Sequence, residues 1–360
     1  NVRSRRQRQM CIRDSYSMTE KREQRKNEHV LLALAQSEAQ QSDFDRIQFV
    51  HHAIPTIDVE DVSLKSRCQA LEMAHVLYVN AMTGGSEWTA DMNTKLAQVA
   101  AATHLPIAVG SMHAAFKNPD VRHSYEVVRQ NHPEGQIWAN ISAEASVAQA
   151  KEAISIVDAN ALQIHVNAPQ ELVMPEGQRE FKHWMTQIKK IVEAIQIPVI
   201  VKEVGFGMSY DTIQDLIDHG VKYVDVSGRG GTNFISIENE RRVLKDMEYL
   251  SDWGQSTVVS LLEARNLSNR VHLLASGGIR HPLDAVKALR LGAEAVGMSR
   301  PILKRVHEAG VEETVQYIEN FKTQMAHIMT LLNARTIQEL RQSAIVFDPY
   351  LKNWMQQRQL

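Results

Sequence analysis

From residue 75 onward the chain alternates, eight times in series, between a short run of β-branched and apolar residues and a more polar connecting stretch. The apolar runs fall at 75–82, 106–110, 136–141, 161–166, 198–204, 222–227, 271–276 and 294–298, and the clearest amphipathic stretches at 91–103, 146–157, 181–195, 211–219, 256–265 and 283–291. Runs such as Pro198-Val-Ile-Val-Lys202 lack the polar alternation of a strand with one wet face, and suit parallel strands covered on both sides. Eight such units predict an α/β fold, a single (β/α)8 TIM barrel; a doubly wound open sheet is the alternative. The 360 residues show no break in composition that would divide such a domain. The barrel is expected to carry N-terminal and C-terminal helical extensions: a helix over 20–34, an extended lead-in over 49–57, a long helix over 311–332 and a short one from Thr336.

Charge and cysteine content narrow the partners. A net charge of −2 gives no reason to expect nucleic acid, and no apolar run approaches the roughly 20 residues of a membrane span. The two cysteines, Cys11 and Cys68, exclude a disulfide framework and a Cys-rich zinc site, and fit a cytoplasmic protein. Residues 1–17 hold five arginines and one aspartate without apolar period, so they read as a non-native or disordered basic extension, with the barrel domain over 18–360. A basic arm for nucleic acid or membranes is the other reading of that segment.

Several signatures are missing. The chain has no P-loop, no H-E-x-x-H, no C-x-x-C and no G-x-S-x-G, and Gly205-Phe206-Gly207 lacks the third glycine of a dinucleotide fingerprint. The polar residues gather instead at the C-terminal ends of the expected strands, where a barrel builds its active site. Gly277-Gly278 before Arg280 and the Pro282 helix start, with Gly297 on the next strand, suit a phosphate held by backbone N–H groups, although tight turns alone would use the same glycines. Lys202 ends an apolar strand and calls for an anionic partner, unless it reaches the rim. His165, Asn167, Gln170 and Glu171 place four polar side chains within seven residues, and Glu171 is an oxygen ligand suited to Mg²⁺; otherwise it is surface charge. On the first helix, Arg25, Lys26 and His29 form either a diphosphate clamp or a solvated face.

These segments resemble one family in order. R-K-N-E-H at 25–29, N-A-M-T-G-G at 80–85, H-V-N-x-x-Q-E at 165–171, K-E-V-G-F-G at 202–207, S-G-R-G-G-T at 227–232 and S-G-G-I-R at 276–280 are similar to type 2, FMN-dependent isopentenyl-diphosphate isomerases. The resemblance spans residue 18 to the C-terminal helices. It implies an isoprenoid-biosynthesis flavoprotein, a homotetramer or homo-octamer, that interconverts isopentenyl and dimethylallyl diphosphates. It further implies FMN held by Ala81, Met82, Thr83, Ser111, Asn140, Lys202, Ser227 and Thr232, with the FMN phosphate on Gly277, Gly278, Arg280, Gly297 and Met298. The substrate diphosphate is expected at Arg25, Lys26, His29, Ser111, His113, Asn167 and Gln170, with Mg²⁺ on Glu171 and a catalytic set of Lys202, Gln170 and His165. One departure stands out: some members have Gln-Arg where this chain has Met112-His113, a weaker and pH-dependent partner for diphosphate.

The expected chemistry needs the flavin. Moving a double bond by one carbon requires protonating an unactivated alkene, and no residue pair in these segments is a strong acid facing a strong base. Reduced FMN would supply both the proton and an electron-rich ring, with Lys202 stabilising its anion, NAD(P)H as priming reductant and Mg²⁺ on the diphosphate. Two rival readings are an FMN-dependent 2-hydroxy-acid oxidase, which wants a histidine base and a carboxylate-binding arginine near the seventh barrel strand where the chain has Ser276-Gly-Gly-Ile-Arg280-His281 and no separate catalytic histidine before the glycines, and a non-catalytic flavin-binding barrel, which needs neither the 165–171 segment nor Arg25-Lys26.

Overall fold

All eight expected strands form, and they close on one another. The computed structural model describes residues 18–37, 41–66, 68–71 and 73–360, apart from the side chains of 18–25 and 69; the basic extension 1–17 lies outside the described residues. Strand β1 (Ile47–Phe49) precedes the barrel. The barrel strands are β2 (Leu77–Val79), β3 (Ile107–Ala108), β4 (Ile137–Ser142), β5 (Ala161–His165), β6 (Val199–Lys202), β7 (Tyr223–Asp225), β8 (His272–Ser276) and β9 (Ala295–Met298). Each pairs in parallel with the next and β9 returns to β2, so the sheet is a closed barrel rather than an open doubly wound one.

Register fixes what faces inward. Trp138 sits opposite Ala161, Gln163 opposite Ile200, Lys202 opposite Asp225, and Ser276 opposite Gly297. With a side-chain period of two, these alternate residues form the interior and the intervening Val, Ile and Leu pack under the helices. The interior is apolar below and polar above. Tyr78, Trp138, Ile200, Tyr223 and Leu274 form one buried cluster with Cys68, Leu71 and Met73, which come from the segment before β2 and plug the barrel floor. Towards the C-terminal ends of the strands, Asn140, Gln163, Lys202, Asp225 and Ser276 replace the hydrocarbon, all buried.

The extensions tie the two ends of the chain together. The expected lead-in over 49–57 is a strand only as far as Phe49, pairing antiparallel with β10 (Ile345–Phe347); beyond it the backbone is irregular, anchored by Val50 N–H on Ala344 O and His52 N–H on Leu331 O. β10 and the terminal helix Pro349–Arg358 have no counterpart in the sequence reading, because a three-residue, partly buried strand and a polar helix carry little periodicity. The first helix, Met18–Ala35, matches its expected span. The long C-terminal helix, Arg300–Leu331, is broken at Gly310, whose φ of 85° no helix contains, so its second limb starts where the pattern from 311 places it.

Trp138 tests the floor packing. Its ring is fully buried, 4.9 Å from that of Tyr78, and its indole N–H has no partner. Trp138→Ala should cost about 3–5 kcal/mol, and Trp138→Phe, which keeps an aromatic ring and sheds the unpaired donor, clearly less; urea denaturation of the two variants checks the order.

Candidate active site

A cavity of about 1650 Å³ opens at the C-terminal ends of the barrel strands. Every residue expected in the site whose side chain is described lines it, from Lys26 and His29 on the first helix to Gly297 and Met298 on β9. Arg25 lies on the same helix, but its side chain is outside the described residues.

The base of the cavity is a hydrogen-bonded polar layer. His165 Nδ1–H donates to Asn140 Oδ1 at 2.8 Å, Asn140 Nδ2 to Gln163 Oε1 at 3.0 Å, and Gln163 Nε2 to Asn80 Oδ1 at 3.0 Å. Asn80 Nδ2 then donates to Asp225 and to Ser276 Oγ, while Tyr78 and Ser276 hydroxyls and the Ser227 N–H also end on the Asp225 carboxylate. The chain of donors fixes His165: with Nδ1 protonated, Nε2 keeps its lone pair. Enclosure in the wall, with Lys202, Lys26 and His113 nearby, holds its pKa down at about 3, so the ring is neutral. Lys202, at the end of β6, is buried and gives one N–H to Glu203 O at 2.8 Å. Burial lowers its pKa, opposed by the charges of Asp225 and Glu203. Burial pushes the neighbouring Glu203 carboxyl up, to about 8, although one of its oxygens accepts the N–H groups of Val204, Gly205 and Phe206.

The segment after β5 turns into the helix Ala168–Val173, which Pro169 starts and Asn167 precedes. Helical spacing puts Asn167, Gln170 and Glu171 on one face. Asn167 Nδ2 donates to Gln170 Oε1 and Glu171 Oε1, both at 3.1 Å, and the other Glu171 oxygen accepts Gln178 N–H at 2.8 Å. Glu171 stands partly exposed on the cavity wall, a carboxylate of the kind Mg²⁺ takes alongside water and phosphate oxygens.

Sequence reasoning missed the group that joins this wall to the first helix. Glu238, on the helix Phe234–Arg241, is fully buried and accepts from Gln170 Nε2 at 2.9 Å and from Arg241. His29 Nε2 lies 3.1 Å from the same carboxylate, off the direction of a good hydrogen bond. Burial pushes the Glu238 pKa up, but His29, Gln170 and Arg241 outweigh it and bring it to about 2. The overlooked signal was an acid one helical turn from the buried Ile235. The first helix is also seated by Ser86 Oγ–H on Asn27 Oδ1, and just past its end Gln36 exchanges two hydrogen bonds with the backbone of Asn233.

The remaining wall is glycine backbone. A Cβ on Gly277 would stand 2.1 Å from Gly228 O, and one on Gly228 2.1 Å from Thr257 N, so the two loops can only meet as bare backbone. Ser227 accepts a left-handed φ of 34° beside them. Thr83 Oγ1 is buried at the cavity without a partner, an acceptor and donor left for a bound group. Bare N–H groups, an orphan hydroxyl and the buried Lys202 fit an anionic ring cofactor with a phosphate tail. Arg280, expected on that phosphate, spends four N–H bonds on Asp45 and Asp284, leaving one N–H and its long-range charge. His113 lines the cavity at the head of the helix His113–Lys117, edge-on to Phe116.

Comparison with known proteins agrees with this geometry. The family model for FMN-dependent dehydrogenase matches residues 117–347. The isopentenyl-diphosphate delta-isomerase of Staphylococcus haemolyticus (strain JCSC1435) is 58% identical over 339 residues, 94% of this chain and 97% of its own length. Those of Staphylococcus epidermidis and Staphylococcus aureus (strain N315) are 56% identical with the same coverage. Among solved structures, a flavocytochrome b2 mutant with benzoylformate superposes with a TM-score of 0.67 at 18% identity, over 91% of this chain and 84% of its own. A mandelate oxidase mutant carrying an FMN adduct does so with a TM-score of 0.62 at 16% identity, over 89% and 92%. The structural likeness establishes a shared barrel; the sequence identity goes further, and the chain belongs to the isopentenyl-diphosphate delta-isomerases built on the FMN-dependent dehydrogenase barrel.

Proposed function

We propose that this protein interconverts isopentenyl diphosphate and dimethylallyl diphosphate, with reduced FMN and Mg²⁺ in the site and NAD(P)H as the priming reductant. The observation that carries the reading is convergence: residues from 26 to 298, singled out separately along the chain, line one cavity. Bound and reduced, the flavin supplies a proton donor and acceptor and an electron-rich ring that offsets cationic character in the substrate.

The protein's own residues do the rest. Lys202 brings a positive charge to a water-poor wall, where it favours an anionic ring edge. The backbone of Gly277, Gly278 and Gly297 receives the FMN phosphate, with Arg280 acting on it chiefly through charge. Ala81, Met82, Thr83, Ser111, Asn140, Ser227, Thr232 and Met298 complete the cofactor's surroundings. Lys26 and His29, with Arg25 beside them on the helix, take the substrate diphosphate together with Ser111, His113, Asn167 and Gln170, and Glu171 holds Mg²⁺ against it. Glu238 keeps Gln170 and His29 in place, and neutral His165 offers Nε2 as an acceptor. An oxidase would want an arginine for a substrate carboxylate beside the seventh barrel strand, and Arg280, which stands there, is committed to Asp45 and Asp284. A cytoplasmic homotetramer or homo-octamer belongs to the same proposal.

The deciding experiment incubates the protein anaerobically with isopentenyl diphosphate, Mg²⁺ and FMN, once oxidised and once chemically reduced. Dimethylallyl diphosphate should form only with reduced flavin; FMN binding without product in either state would reject the reading.

Three further outcomes are expected. Glu171→Gln should raise the Mg²⁺ concentration for half-maximal rate about tenfold or more, leaving FMN bound; an unchanged Mg²⁺ titration would remove Glu171 from the metal. Because His165 stays neutral down to about pH 3, protonation of this ring should contribute no acid limb near 6.5, and a limb there that vanishes in His165→Asn would contradict the assignment. Deletion of residues 1–17 should leave the rate intact, whereas deletion through His29 should abolish it.

A further inference from the structure

Beneath the floor plug, at the end of the barrel away from the cavity, three ligand-type side chains meet. A sulfur of Cys68, a ring nitrogen of His272 and a carboxylate oxygen of Glu294 all lie within 4.8 Å of one another. The placement is built into the fold. His272 is the first residue of β8, and its ring stacks on Tyr223 with centroids 4.9 Å apart and planes at 14°. Glu294 immediately precedes β9; its N–H bonds Leu273 O at 2.7 Å, and its carbonyl accepts the Ser66 hydroxyl at 2.9 Å. That hydroxyl oxygen accepts the Cys68 N–H at 3.2 Å, so the cysteine loop is pinned to the backbone of the very residue whose carboxylate it faces.

In the ion-free protein, protons do the bridging. His272 Nδ1 lies 2.9 and 3.1 Å from the two Glu294 oxygens, and the Cys68 thiol faces the same carboxylate. Burial together with that negative charge keeps the thiol protonated, so Cys68 is not a reactive cysteine. Two protons thus hold a sulfur and a nitrogen against one carboxylate, which is the arrangement a single divalent ion would replace.

We propose that Cys68, His272 and Glu294 form a binding site for a divalent transition ion of the zinc class, with water as fourth ligand. The donor set selects the ion: thiolate and imidazole suit zinc or cobalt and are poor partners for Mg²⁺ or Ca²⁺. Charge also balances, because one thiolate and one carboxylate neutralise the dication in a largely buried place. On binding, the thiol proton passes to solvent and the imidazole proton moves from Nδ1 to Nε2, freeing Nδ1 for the metal. Around one tetrahedral ion the ligand atoms would stand about 3.5 Å apart, so His272 Nδ1 and the Glu294 oxygen, now 2.9–3.1 Å apart, would open slightly while the Cys68 sulfur, within 4.8 Å of both, closes on them. The ion's role would be structural: it would staple the floor plug of Cys68, Leu71 and Met73, already tied to Glu294 O through Ser66, directly to the starts of β8 and β9.

The test uses the full chain loaded with FMN, stripped of transition metals by chelator dialysis, in saturating Mg²⁺ so that the Glu171 wall is occupied. One equivalent of Co²⁺ should produce the intense red-region bands of tetrahedral cobalt, beyond the flavin absorption, and Zn²⁺ should bleach them. Cys68→Ser and Glu294→Gln should lose the bands while retaining the flavin spectrum and isomerase rate of the wild type. Zn²⁺ should raise the Tm of the wild type and leave that of Cys68→Ser unchanged. Wild-type protein without tetrahedral cobalt bands, or equal bands in both variants, overturns the proposal; should the serine variant fail to fold, Glu294→Gln alone decides it.

Discussion

The Asp225 carboxylate, sealed from water in the middle of the barrel, sets the terms for everything above it. Five hydrogen bonds, from Tyr78, Asn80, Ser276 and the Ser227 N–H, end on it or on the Ser276 hydroxyl beside it. A buried charge with one partner missing is expensive, so these groups are held in one arrangement. Two consequences reach the cavity. The negative charge favours the protonated form of Lys202, against the burial that lowers its pKa. The bond from Ser227 N–H also helps keep the loop after β7 in its left-handed turn, which brings Gly228 against Gly277.

Above that layer the site has two halves of different character. The barrel half is glycine backbone and buried amides whose positions follow from strand register. The other half rests on one helix, Met18–Ala35, which brings Lys26 and His29 over the mouth and is seated by Asn27, His29 and the adjoining Gln36. The proposed cofactor surroundings and diphosphate clamp therefore depend on different contacts, and loss of the helix need not disturb the barrel half.

Much of this was legible in the sequence. Period and apolarity gave the eight strands because parallel strands buried on both faces leave an unmistakable pattern, and the residues at their ends gathered where barrel geometry puts them. The polar layer was harder to read, yet Gln163 and Asp225 inside apolar strands were visible exceptions. Glu238 escaped because an acid in an amphipathic helix usually faces water; only the packing against Gln170 and His29 shows that this one does not. The commitment of Arg280 to Asp45 escaped for a different reason, since 235 residues separate the pair in the chain.

The seating of the first helix bears on how the molecule is made. Its partners, Ser86, Asn233 and Glu238, and Arg300, which bonds Gln36 O, are all synthesised later, the last of them after seven barrel strands have followed β2. The helix must therefore wait, with Lys26 and His29 unseated, until nearly the whole barrel exists. On the proposed reading of the site, the diphosphate clamp is therefore completed only once the strands and loops that seat this helix are in place.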